Sequence, residues 1–303
     1  FYMASPVCSP SRGAMMTGCY PPRIGFGTFE KHGVLFPGQP VGLNPSEITV
    51  AKLLKGRGYA TKIVGKWHCG DQKEFLPTRH GFDSYYGLPY SNDMGRQKNC
   101  SPHPPLPLLR DEEVIQQQPD QANIIERYTE ESVRFLRDNR DQPFFLYLAH
   151  MQVHLPLYAP QRFLDDSQNG RYGACVEAVD WSTAVLLDEL KRLGLEQNTL
   201  VIFTSDNGSR GDNGGSNGPL HGRKQTTWEG VIQSGQVSNE ILSSIDFLPT
   251  LAGLAGAEPP SDRKIDGLDC RSLLTQPSAA SPRKTFHYYR QNKLEAVRKG
   301  RWK

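Results

Sequence analysis

Three short apolar runs constrain the fold of this chain more than any other feature: Ala60 to Val64, Phe144 to Ala149 and Leu200 to Thr204. Each has the length of a strand and is bounded by polar or turn residues, so all three read as buried strands of a parallel sheet. Helical patterns separate them. One runs from Ile124 to Leu136. Another runs from Val176 to Leu193, with Val176, Val179, Ala184, Leu187 and Leu190 near helical spacing and Gly194 as its stop. A further helix is expected over Ser244 to Ala255, ended by Gly256. Strands alternating with helices predict an α/β fold with helices on both faces of the sheet.

In such folds ligands collect beyond the carboxyl ends of the strands. The residues there are Gly65-Lys66-Trp67-His68, His150 to His154, and Ser205-Asp206-Asn207-Gly208. All three segments carry charged or ligand-type side chains, which points to strand ends as the place for chemistry. Two long loops rich in Pro and Gly, Tyr20 to Pro45 and Ser101 to Pro107, are of the kind that is functional or flexible.

Composition narrows the functions. Apolar residues make up 37% and charged residues 22%, an ordinary mix for a soluble globular protein. A net charge of +3 is too small to call for a nucleic-acid partner, and the most basic stretch, Arg298 to Lys303, reads as a solvated terminal segment. No apolar run has the length to span a membrane, and no signal peptide precedes Phe1-Tyr2-Met3-Ala4. The six cysteines (Cys8, Cys19, Cys69, Cys100, Cys175, Cys270) form no CxxC pair, which argues against a zinc ribbon or a thioredoxin-like site. Disulfides are allowed but not required at this size. Asn99 and Asn207 each open a glycosylation sequon.

Cys8-Ser9-Pro10-Ser11-Arg12 leads into Gly13-Ala14-Met15-Met16-Thr17-Gly18. Ser9 suits an N-cap, Pro10 the first helical position and Gly18 the helix end. Cys8 then lies at a helix N-terminus, where free amides and the dipole favour an anion. Alone, it reads either as a buried cysteine before a short helix or as an activated thiolate.

The pattern Cys-x-Pro-Ser-Arg followed by a small-apolar stretch and Thr-Gly resembles the signature of type I sulfatases, whose cysteine is oxidised to formylglycine by a separate enzyme. Further segments resemble that family in order: Gly65-Lys66-Trp67-His68, His154-Leu155-Pro156, Phe203-Thr204-Ser205-Asp206-Asn207-Gly208, and Gly222 to Gly230 with its Lys224-Gln225-Thr226-Thr227-Trp228-Glu229-Gly230. The resemblance covers nearly the whole chain. It implies an alkaline-phosphatase-like α/β sandwich with a central, mostly parallel sheet over residues 1–283, and the beginning of a small C-terminal antiparallel sheet over 284–303.

What the resemblance implies for chemistry suits a sulfate monoester, which carries one negative charge and builds more on the leaving oxygen. The hydrated aldehyde at Cys8 attacks sulfur, the alcohol departs, and the sulfate hemiester collapses to release sulfate. Arg12 holds the formylglycine hydroxyl, and Lys66 and Lys224 bind sulfate oxygens. His154 or Lys224 assists the leaving group, and His68 is the base that promotes collapse. Asp206, Asn207 and the modified Cys8 ligate one hard divalent cation, calcium. The implied partners are a sulfated carbohydrate or glycolipid and the formylglycine-generating enzyme, and the implied location is extracytoplasmic: lysosomal, secreted or periplasmic. A homo-oligomer is compatible with all of this.

Taken singly, each residue has a plainer reading. A lone Lys or Arg is a solvated charge, a lone His after a strand is structural, and Asp-Asn-Gly is a turn. Joint placement at strand ends, together with the cysteine motif, reverses those readings. His150 reads as structural, Trp67 and Trp228 as packing residues, and the Asn207 sequon as unused.

The chain departs from the family pattern in two places. The family opens with a strand ending in paired aspartates, expected ahead of Phe1, and it continues after Glu-Gly with a segment that Gly230-Val231-Ile232 replaces here. Calcium is then expected to lack oxygens, a strand edge to be left exposed, and the 303-residue stretch alone to be poorly stable and nearly inactive. Two other functions compete. One is a phosphodiesterase or phosphonate monoester hydrolase of the same superfamily; the other is a non-catalytic relative that binds sulfated glycans. Intact Cys8, Arg12, Lys66, His68, His154 and Lys224 argue against the second.

Overall fold

The computed structural model describes residues 1–303 apart from 30–32, 98–102, 217–223, 225–237, 277 and 301. The elements in chain order are helices α1 (Cys8–Thr17) and α2 (Val50–Lys55), strands β1 (Ala60–Gly65), β2 (Ser84–Gly87), β3 (Pro107–Arg110) and β4 (Glu113–Gln117), helix α3 (Ile124–Asp138), strand β5 (Phe144–Ala149), helices α4 (Gln161–Asp166), α5 (Gly170–Arg192), α6 (Phe247–Leu254) and α7 (Arg271–Thr275), and strands β6 (Thr285–Arg290) and β7 (Lys293–Lys299). They fall into two compact units: one of Phe1–Leu35, Gly42–Arg57 and Thr204–Lys303, the other of Phe36–Val41 and Gly58–Phe203. No helix among the described residues is long and apolar enough to cross a membrane.

The unit around Gly58–Phe203 is built on a five-stranded sheet in the order β4-β3-β2-β1-β5. β1 pairs in parallel with both β2 and β5, in register Lys62↔Ser84 and Ala60↔Phe144. β3 and β4 extend the sheet antiparallel, which makes it mixed. β1 and β5 are legible in the sequence because Ala-Thr-Lys-Ile-Val and Phe-Phe-Leu-Tyr-Leu-Ala are short, largely apolar runs; β1 is buried along nearly its whole length, while β5 is half-buried except at Ala149. β2 to β4 are not legible there, because they are short and carry no such run. α3 packs on β1, β2 and β5, and α5 packs on α3, with Phe135 edge-on to Phe144 and Thr129 Oγ1 2.7 Å from Ser182 Oγ. On the opposite sheet face Phe82 stacks against Phe145 and Tyr147.

One charged group is buried under α3. Lys62 Nζ and Arg110 both bond to Glu131, whose side chain is 6% exposed. Burial works against the Glu131 charge, yet the hydrogen bonds from Arg110 and Lys62 outweigh it and hold its carboxyl at about 2.

The third expected strand did not form. Leu200 to Thr204 has no regular secondary structure, and Leu200, Val201, Ile202 and Phe203 are each exposed. A strand exists by pairing, and among the described residues no strand lies beside this run. α5 also begins six residues earlier than its apolar pattern, at Gly170.

In the other unit, α1 packs against α2 and α6. Ala4, Ala14, Tyr20, Ile241, Ile245, Phe286 and Tyr288 form one buried cluster of its core. The last two come from the β6–β7 hairpin, an antiparallel pair in register Thr285↔Lys299 that forms the small second sheet. The helix expected over Ser244 to Ala255 is present as one 3-10 turn, Ser244–Asp246, running into α6. Cys8, Cys19, Cys69, Cys175 and Cys270 are free thiols, while Cys100 lies outside the described residues.

Candidate active site

α1 places Cys8 at its first position, after an N-cap at Val7 that makes no side-chain bond. Ser9 is therefore inside the first turn and not the cap expected from sequence. Its hydroxyl accepts from the Leu35 backbone N–H at 3.1 Å, so the capping group is used for tertiary contact. Pro10 costs nothing there, since the first-turn amides of a helix have no intrahelical acceptor. Gly18 ends the helix in the left-handed region at φ 69°, as expected, with its N–H on Ala14 O.

Around the buried Cys8 the same unit brings together four of the residues named from sequence. Cys8 Sγ donates to Asn207 Oδ1 at 3.5 Å. Lys224 Nζ donates to Cys8 Sγ, also at 3.5 Å, and the Lys224 backbone N–H is held by Ser209 O at 2.9 Å. Arg12, one turn along α1, pairs its Nε with Asp206 Oδ2 at 2.9 Å, with side chains 7% and 19% exposed. The turn that carries Asp206 and Asn207 is closed by the Ser205 hydroxyl donating to Asn207 O at 2.8 Å. Cys8 thus has a cation on one side and an amide oxygen on another. The rest of the Gly222 to Gly230 motif, including Trp228, lies outside the described residues.

In the other unit the chain leaves β1 through Gly65 (φ 114°), where a Cβ would fall 2.0 Å from Ala149 O. Only glycine admits the close approach of the β1 and β5 ends. Lys66 to His68 then run on as a ribbon: Lys66 N bonds to Ala149 O, Trp67 N to Leu88 O and His68 N to Pro89 O. Trp67 is buried, donates its indole N–H to Phe75 O and stacks near His80, as a packing residue does. His68 is 1% exposed and takes φ 59°, a left-handed conformation uncommon outside glycine and one that clusters at functional sites.

Lys66 is buried, and its Nζ donates to Ser91 Oγ at 3.0 Å. The same hydroxyl oxygen lies 3.3 Å from His154 Nδ1, which is also 2.7 Å from Leu155 O and 3.8 Å from Asp93 Oδ1. Ser91 and Asp93 were not singled out from sequence. They follow β2, a strand too short for its pattern to register, yet parallel to β1 and so delivering its loop to the same sheet end. The polar Tyr90-Ser91-Asn92-Asp93 after Tyr85-Tyr86-Gly87 was the available signal.

His150, read as structural, has both ring nitrogens shielded from solvent and without a hydrogen-bond partner among the described residues. Burial lowers its pKa from 6.5 to about 4. The unfolded chain takes up a proton near 6.5 and the folded one does not, so the neutral ring's contribution is fully present above that value and is lost as pH falls from 6.5 toward 4. Thermal melts at pH 7.5 and pH 5 should show a drop in midpoint that His150→Leu reduces. An equal drop in the variant would remove His150 as its source.

A hard cation would be faced by Asp206 and Asn207. Calcium takes about six to eight oxygens, and one Asp206 oxygen already bonds to Arg12. Cys8, the third ligand expected from sequence, has its Sγ 3.5 Å from Asn207 Oδ1, and among the described residues no group of three or more His, Cys, Asp or Glu side chains is placed to hold a metal. The calcium expected from sequence therefore finds too few ligands in the described residues.

Comparison with known proteins bears on this arrangement. A family model described as Sulfatase matches residues 1–257. N-acetylgalactosamine-6-sulfatase of Mus musculus is 41% identical over 333 residues, spanning 100% of this chain and 63% of that protein. Human steryl-sulfatase is 35% identical, spanning 97% of this chain and 66% of its own. The chain thus spans less than two thirds of the length of these relatives. Among solved structures, a sulfatase from Pseudoalteromonas sp. superposes with a TM-score of 0.83 at 28% identity, covering 97% of this chain and 67% of that one.

Proposed function

The chain belongs to the sulfatase family, and on that footing we propose that it hydrolyses sulfate monoesters of a sulfated carbohydrate or glycolipid through a formylglycine made from Cys8. The single observation that carries the reading is the setting of Cys8 Sγ, which marks where the aldehyde oxygens would stand. A thiol needs neither a cation nor an amide oxygen at 3.5 Å, whereas an aldehyde hydrate has hydroxyls that use both, one accepting from Lys224 Nζ and one donating to Asn207 Oδ1. The group supplies, once formed, the oxygen nucleophile for sulfur.

The chain's own residues do the remaining work. Lys224 holds positive charge beside the reacting oxygen. Arg12 is oriented by Asp206 and offsets negative charge one helical turn away. Lys66 is proposed as a sulfate-binding cation; its Nζ, buried and held by Ser91, is already desolvated, so an anion would replace no bulk water there. His154 is proposed to protonate the leaving alcohol. Its Nδ1 sits against Leu155 O, which favours a proton on that nitrogen and leaves Nε2 as the exchanging atom. His68 is proposed as the base. Asp206, Asn207 and the modified Cys8 are the residues a divalent cation would use, but their oxygens are too few to fill its shell, and no step is assigned to it.

The substrate class is supported by the relatives: one is named for a sulfated amino sugar and another for steryl sulfate. A sulfated sugar is the better fit to the first, which is the more similar. The test is mass spectrometry on the tryptic peptide containing Cys8, from protein co-expressed with the formylglycine-generating enzyme. Conversion lowers the peptide mass by about eighteen daltons, a shift set by the covalent change itself. Unmodified cysteine, with the converting enzyme shown active on a control sulfatase, would move the reading to a non-catalytic binder of sulfated glycans.

A further inference from the structure

No step of the proposed reaction uses Asp93, yet it stands against the residue proposed to protonate the leaving alcohol. Its Oδ1 is shielded from solvent and lies 3.8 Å from His154 Nδ1, although the side chain as a whole is 45% exposed. One carboxylate oxygen is therefore turned inward, toward the ring. At 3.8 Å the contact is beyond hydrogen-bond reach and acts through charge.

Asp93 is held there from both sides. It sits in a 3-10 turn, Asn92–Met94, in which Asn92 and Met94 are buried and Met94 N bonds to Ser91 O. Asn92 donates from Nδ2 to Gln121 Oε1 at 3.0 Å and to Pro156 O at 3.3 Å. Farther along, Tyr158 donates its hydroxyl to Gln97 Oε1 at 3.4 Å. The segment after β2 is thus tied to the segment after β5 before and after Asp93, by residues two and four positions beyond His154.

His154 would give its Nε2 proton to the leaving oxygen as the S–O bond breaks. The ring then goes from imidazolium to neutral imidazole and keeps its remaining proton on Nδ1. Leu155 O accepts from that nitrogen at 2.7 Å, but it belongs to the neighbouring residue of the same loop. Asp93 comes from a different loop and ties the ring to the β2 side. It also sets a negative charge against a ring that Ser91 links to the Lys66 ammonium. A carboxylate facing the non-reacting nitrogen of an imidazole can hold its tautomer and orientation without itself taking a proton. We propose that Asp93 is a positioning residue for His154, keeping the proton on Nδ1 and Nε2 free for the leaving oxygen. The inference rests on the reading of His154 as the leaving-group acid.

Asp93→Asn keeps the shape and removes the charge. In matured protein it should slow turnover of phenyl sulfate, whose phenolate leaves poorly, by about tenfold, less than the roughly 100- to 10,000-fold that a general acid supplies. 4-Nitrophenyl sulfate, whose leaving group is stable without a proton, should lose far less. In a His154→Ala background the same change should cost nothing further. Long-range proton–nitrogen spectra of the imidazoles, which need no turnover, should show His154 protonated on Nδ1 in the unmutated chain and a mixture of tautomers in Asp93→Asn. Equal losses on the two sulfates overturn the proposal, as does a His154 ring spectrum that Asp93→Asn leaves unchanged. His154→Ala tests the underlying reading separately: equal losses on both sulfates, or none, would mean that His154 is not the acid. A selective loss in His154→Ala without one in Asp93→Asn removes the positioning role alone. If the matured chain turns over neither sulfate, the ring spectrum decides.

Discussion

Replacing Asp246 by alanine is expected to destabilise the fold by about 3–5 kcal/mol, the usual cost of stranding one member of a buried ion pair. Asp246 is fully buried and Arg283 is 5% exposed. The Asp246 carboxylate accepts from Arg283 Nε at 2.9 Å and from its Nη2, and also from the backbone N–H groups of Ser243 at 2.9 Å and Leu268 at 2.8 Å. Alanine leaves the guanidinium with Asp266 O as its remaining acceptor in this group, and it leaves two amides without theirs. These bonds tie the start of α6 to the chain entering β6, so the loss reaches the core around Ile245 and Phe286. Asp246→Asn, which keeps an oxygen but not the charge, should cost less. Urea denaturation read by tryptophan fluorescence and circular dichroism would measure both; a loss below about 1 kcal/mol for alanine, the net worth of a single ordinary hydrogen bond, would show that the pair is not a structural anchor.

Cys8→Ala is expected to abolish sulfate-ester turnover in matured protein, a loss on the order of a million-fold, as for removal of the nucleophile in other covalent mechanisms. The side chain is buried at the start of α1 and alanine is a good helix former, so the melting temperature should hardly change. Lys224→Met keeps the cysteine but removes the donor 3.5 Å from its sulfur. It should cost less, about 100- to 1,000-fold, the scale of one preorganised electrostatic donor. An aryl sulfate assay on preparations whose wild-type Cys8 peptide carries the aldehyde separates these cases. Turnover that survives in Cys8→Ala would place the nucleophile elsewhere and end the proposed mechanism.

Much of the site was legible because its chemistry is local in sequence. Cys8 and Arg12 are one turn apart on one helix, and Asp206 and Asn207 are adjacent, so pattern alone pairs them correctly. β1 and β5 were legible as short apolar runs, of which β1 is buried along nearly its whole length and β5 only half-buried. The same signal misled at Leu200 to Thr204: apolar content was read as burial, yet among the described residues the run has no neighbouring strand, and Leu200 to Phe203 stand exposed. Ser91 and Asp93 were missed because they hang from β2, four residues long and visible only through its pairing with β1.

By itself the amino-acid sequence determined the α/β class, the two long-run strands, the helices α3 and α6 and the family to which the chain belongs, because these rest on short-range periodicity and on motifs of neighbouring residues. Only the tertiary structure decided that Ser9 bonds to Leu35 instead of capping its helix, that Lys224 lies beside Cys8 across more than two hundred residues, and that Ser91 links Lys66 to His154. Those contacts depend on which backbone segments are brought together, and side-chain hydrogen bonds of a few ångströms carry no trace in the order of residues along the chain.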